Sequence, residues 1–130
     1  MTRKSISIPG FAHSSPVPSA SVKNGIVTAG GMSGVDPETG ILPPTLDEQC
    51  SNVFRHMRAV MEQAGGSVED IIKVEVWLPS LADKEALNSQ WLDMFPDAQS
   101  RPTRQAFPGA LDFGAGILIV CNLLGVIDHD

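Results

Sequence analysis

The spacing of apolar residues changes several times along the chain, and each change marks an element. Cys50, Val53, Phe54, Met57, Met61 and Ala64 recur at the helical period and share one face. This predicts an amphipathic helix over 46–64. Thr45 and Glu48 precede it in a capping-box pattern, in which each side chain satisfies an amide of the first turn. Gly65-Gly66 follows and admits the left-handed backbone that ends helices. After Val68–Ile72 the segment K-V-E-V-W-L (73–78) switches to alternation, the pattern of a half-buried strand, and Pro79 stops it. A second helix over about 83–95 turns Leu87, Trp91, Met94 and Phe95 inward, with Ser80 and Asp83 as capping side chains and Pro96 as its close. Thr103–Phe107 reads as a short strand. Ile117–Leu124, I-L-I-V-C-N-L-L, is apolar on both parities, which predicts a strand covered on both faces.

Upstream, Asn24-Gly25 between two apolar runs signals a hairpin, because both residues tolerate positive φ. V-D-P-E-T-G (35–40) is turn chemistry. The Pro- and Ser-rich stretch 9–20 reads as an irregular arm. The order is hairpin, helix, strand, helix, strand, strand. It implies a single α+β domain over 1–130, with two helices on one face of a mixed sheet and residues 1–20 as an N-terminal arm. The doubly apolar last strand implies that the other sheet face is also covered, hence an oligomer with sheets packed together.

Composition narrows the function. The 130 residues carry a formal net charge of -6, which argues against nucleic acid as a partner. No apolar run approaches a membrane span, and no secretory pattern opens the chain. Two widely spaced cysteines, Cys50 and Cys121, fit a reducing, cytoplasmic setting. Three scattered histidines, His13, His56 and His129, give no metal-ligand spacing. Glycines 30–34 lack a phosphate-loop pattern, so no cofactor or metal is expected. Asp128 and Asp130 read as a solvated tail.

Four stretches together carry a resemblance: G-G-M-S-G-V-D-P-E-T-G (30–40), A-V-M-E-Q-A-G-G-S-V-E-D-I-I-K-V-E-V-W-L (59–78), A-L-N-S-Q-W-L-D-M-F (86–95) and R-P-T-R (101–104). In order and spacing the chain resembles the reactive intermediate deaminase (Rid, YjgF-type) family, also called L-PSP endoribonucleases. The resemblance implies a chorismate-mutase-like fold and a homotrimer with ligand pockets between subunits. It also implies hydrolysis of enamines or imines derived from amino acids. Ribonuclease action finds no basic groove and no His/Lys pair suited to phosphate cleavage in this sequence.

Arg104 matches the family's carboxylate-binding arginine. A planar guanidinium grips a carboxylate through two parallel hydrogen bonds, and Pro102 stiffens the approach. The bland alternative is a salt bridge to one of the 15 acids. Arg101 is expected at the surface or beside an acid. Asn122 stands where deaminating members carry a glutamate. An amide cannot act as a general base, though it can hold a water. Its other reading is a buried amide satisfied by backbone. Gly30-Gly31 either donates amides to a ligand or forms a bulge, Gly30 standing where many members have Ser. Val17 aligns loosely with an aromatic pocket residue, and Ala106 with a cysteine of some members. Phe107 either walls the pocket or belongs to the core. Cys121 points away from Asn122 by strand alternation and is expected to be inert. His56 is expected at a solvated or subunit-contact position. His13 and His129 could reach a neighbouring pocket. These readings define two functions: a deaminase of small carboxylate-bearing enamines or imines, such as 2-aminoacrylate or amino-muconate, or a trimeric module that binds such acids without turnover.

Overall fold

The computed structural model describes residues 2–8, 15–82 and 84–128. Six strands form one sheet, β1 (Lys4–Ile6), β2 (Ala20–Lys23), β3 (Ile26–Ser33), β4 (Ile71–Leu78), β5 (Thr103–Pro108) and β6 (Val120–Val126), in the order β1-β2-β3-β6-β4-β5. β4 and β5 pair in parallel; the other pairs are antiparallel. Helices α1 (Leu46–Gln63) and α2 (Glu85–Met94) pack against each other and cover one face. This is the α+β layer arrangement expected from the sequence.

The hairpin forms at Asn24 and Gly25, with φ of 51° and 78°, the pair of positive values that a type I′ turn requires. α1 buries Cys50, Val53, Phe54, Met57 and Met61. At its start the Glu48 amide donates to Thr45 Oγ1 (3.2 Å). The Glu48 carboxylate, however, accepts from the Thr45 hydroxyl (2.8 Å), so only half of the expected reciprocal box forms. A complete box closes a short 3-10 helix at Val68–Asp70 instead, where Ser67 N donates to Asp70 Oδ2. Gly65, at φ 96°, and the bond from Gly66 N to Met61 O end α1 as expected.

Four details depart from the sequence reading. β1 pairs with β2 at one edge, where only arm was expected. α2 begins after Lys84 without a side-chain cap, and Ser80 Oγ accepts from Ala82 N in the preceding turn; Asp83 lies outside the described residues. β6 starts at Val120 rather than 117, because Leu118 N donates to Gln49 Oε1 (2.9 Å) instead of to a strand. His56 is 1% exposed, not solvated: its Nε2 bonds to Val35 O at 2.7 Å. Burial pulls its pKa below the ordinary value, opposed by that backbone bond. The 35–40 turn lies over the flank that angular counting leaves open.

His56 belongs to a polar stripe on α1. Asn52 Nδ2 donates to Gly34 O (3.0 Å), and Gln49 Nε2 donates to both Pro43 O and Gly116 O (2.8 Å each). The helix thereby fixes two loops through satisfied buried groups. A Cβ on Gly34 would stand 2.4 Å from Gln49 Cβ.

Candidate functional site

The register of the sheet assigns faces. Val74, Val76, Cys121 and Leu123 turn toward the helices and are buried. Lys73, Glu75, Trp77 and Asn122 therefore turn to the opposite, outer face. On that face a groove of about 470 Å³ runs over β2, β3, β6 and β4. Gly30, Lys73, Glu75 and Asn122 line it, with Ser21 and Thr28.

Asn122 is held from two sides. Its Oδ1 accepts from Gly31 N (2.9 Å), and its Nδ2 faces Glu75 Oε1 at 3.5 Å. The two glycines sit at a register shift between Ala29 and Met32, with Gly31 at φ 70°. A Cβ at Gly30 would come within 3.1 Å of Asn122 Oδ1. The bulge thus turns an amide toward Asn122 and keeps the space above it clear.

Arg104 lies elsewhere. It pairs with Val74 across the parallel β4–β5 ladder and shares Val74's face, toward α2. Its guanidinium carbon stands 4.9 Å from the centre of the Trp91 ring, within cation–π range. Its Nη1 is buried and has no hydrogen-bond partner. Among the described residues no acid lies within ion-pair distance; the pair that does form is Arg55 with Glu38, at 3.4 Å. Burial pulls the Arg104 pKa down, and Cys121 opposes this. Arg101 has other work: Nε donates to Phe95 O (2.8 Å) and Nη2 to Pro96 O (3.3 Å), at the end of α2. Cations suit that helix end. Arg101 is exposed, the surface position expected of it, and its partners are backbone carbonyls rather than an acid.

The remaining residues scatter. Phe107 stacks on Trp77 on the outer face (5.0 Å, 22°), and Phe113 meets Trp77 edge-on (5.6 Å). Val17 is 53% exposed in the arm, just before Pro18 and Ser19, which line the groove. Cys121 is buried on the helix face, and burial pushes its thiol far above the ordinary range. His13, His129 and Asp130 lie outside the described residues. Within one chain, Gly30, Gly31 and Asn122 come together, and Arg104 occupies the opposite face of the sheet. Glu75 was missed: alternation marks it only as the polar half of a strand, and its meeting with Asn122 depends on strand pairing.

The family described as Endoribonuclease L-PSP matches residues 13–116. The chain belongs to this family. A RutC family protein of Pyrococcus abyssi is 33% identical over 102 residues, covering 74% of this chain and 79% of that protein. A RutC family protein of Aquifex aeolicus is 33% identical over 81 residues, 62% of this chain and 65% of the relative, just under two thirds of its length. The chloroplastic Reactive Intermediate Deaminase A of Arabidopsis thaliana is 29% identical over 82% of this chain and 57% of that protein. The crystal structure of RidA from a Psychrobacter species superposes with a TM-score of 0.84 at 28% identity, covering 95% of this chain and 99% of that one. Escherichia coli YjgF gives 0.85 at 23% identity, which speaks to the fold alone. The Rid resemblance and its fold therefore stand. Among the described residues no Rid helix here is long and apolar enough to cross a membrane, and no group of three or more His, Cys, Asp or Glu is placed to hold a metal.

Proposed function

We propose that this chain is a cytoplasmic hydrolytic deaminase of small enamines or imines that carry a carboxylate, of the 2-aminoacrylate or amino-muconate kind. Its pockets are completed where the protomers of a homotrimer meet. The observation that carries this reading is the Arg104 guanidinium, whose buried Nη1 has no partner. A fold rarely leaves such a donor unmatched, and a carboxylate is the ligand that matches a planar cation best. The Trp91 ring beneath it limits the rotation of the fork. Relatives named reactive intermediate deaminase support the reaction class.

In this reading Arg104 of one protomer anchors the carboxylate at the outer-face groove of its neighbour and so orients the electrophilic carbon. Asn122 keeps one Nδ2 hydrogen and one Oδ1 lone pair beyond its two protein contacts, capacity enough to hold a water. Gly30, Gly31, Val17 and Phe107 are assigned to the walls of the same interface pocket. The test is ammonia release from enzymatically generated 2-aminoacrylate. Arg104→Ala is expected to lower kcat/KM about 100-fold, the scale of losing a charged, bidentate contact. Full activity in that variant would refute the clamp.

The amide at 122 favours one other reading, a module that captures small acids without turnover, since Asn122 cannot accept a proton. Binding of a small carboxylate with no ammonia release across several imines would select it.

A further inference from the structure

The outer-face groove holds a carboxylate for which the reading above has no use. Glu75 stands directly across the β4–β6 ladder from Asn122, with Nδ2 and Oε1 3.5 Å apart. Its second oxygen takes no hydrogen bond from the described residues. It is half-buried in the middle of a strand paired on both sides, opposite Asn122 on β6 and Gln105 on β5. Such a position limits its motion more than a loop would. The groove, at about 470 Å³, has room for a small acid and a water.

We propose that Glu75 is the proton-transfer group of this site and that Asn122 is its positioning residue. The proposal rests on the deaminase reading. Asn122 is fixed by Gly31 N and turns its amide hydrogen toward Glu75. The carboxylate is thereby oriented with one oxygen toward the groove. An acid missing from one strand is thus supplied by the next, two strands of the ladder apart in sequence and adjacent in space.

The steps balance. Water attacks the iminium carbon; Glu75 takes one water proton as the C–O bond forms and the C=N pair moves onto nitrogen. The protonated Glu75 returns that proton to the amino nitrogen. The C–N bond then breaks and ammonia leaves with the bonding pair, while the remaining water proton passes from the hydroxyl to Glu75 as the carbonyl forms. Ammonia takes up this last proton. Iminium and water become an oxo compound and ammonium, with charge conserved and no oxidant or reductant required.

The experiment measures ammonia release from enzymatically generated 2-aminoacrylate by the full chain and by Glu75→Gln and Glu75→Asp. Pyruvate affinity and thermal unfolding are followed in parallel. Glu75→Gln can still accept from Asn122, so folding and pyruvate affinity should be unchanged. Its kcat should fall about 100-fold or more, as for loss of a general base. Glu75→Asp should restore part of the rate. Wild-type kcat in Glu75→Gln overturns the assignment of Glu75 alone. No ammonia release by the wild-type protein overturns it together with the deaminase reading.

Discussion

Gln49 and Arg104 are both polar, and both are sheltered by the helical layer. Gln49 is saturated: its amide donates to two loop carbonyls, and its carbonyl accepts from Leu118 N. Arg104 keeps a buried donor with nothing to give it to. The stripe of Gln49, Asn52 and His56 shows how this chain treats buried polar groups when only the fold is at stake: each is tied to a backbone carbonyl. Arg104 sits on an edge strand, where its cation touches an indole face and no acid. Groups that build the architecture are closed on themselves. A group kept for a ligand stays open, at a cost in desolvation that the bound anion offsets.

Three substitutions or conditions would break or sharpen that contrast. The largest effect belongs to Gln49→Ala. It strips partners from Pro43 O, Gly116 O and Leu118 N at once, and should lower stability by about 3 kcal/mol, read from urea unfolding. A loss near zero would mean that the stripe is replaceable by water. Next comes pH. Burial holds the folded-state pKa of His56 below its ordinary value, while the unfolded chain binds the proton at the ordinary histidine value of about 6.5. The unfolded state therefore carries more protons below that pH, and stability declines as pH falls through that value toward the depressed folded-state pKa. The slope is at most about 1.4 kcal/mol per pH unit for one proton. His56→Gln should erase this limb in thermal melts across the same range. The smallest effect is expected for Arg104→Met, which removes the open cation and keeps apolar contact with Trp91. Stability should change by less than about 0.5 kcal/mol or rise. A clear drop in melting temperature would recast Arg104 as an architectural group.

Local pattern was enough to read α1, the Asn24-Gly25 turn, β4 and the layer arrangement, because each rests on residues a few positions apart. The stripe on α1 was harder. Of Gln49, Asn52 and His56 the sequence reading singles out only His56, at a solvated or subunit-contact position, and loops 34–43 and 116–118, brought from elsewhere in the chain, bury all three. The site shows the same division. Arg104, Asn122 and the glycine pair could be picked out by motif. Which sheet face each serves, and that Glu75 meets Asn122, follows from a register between strands 47 residues apart in sequence, and no periodicity within one segment fixes such a register.

The clasp made by Arg101 has a consequence for its companion three residues on. By gripping Phe95 O and Pro96 O, it pins the corner where α2 hands the chain to β5. One of these two elements carries Trp91 and the other Arg104. With the corner held there, the spacing between indole and guanidinium is set at the same point, and the first cation of R-P-T-R helps to place the second.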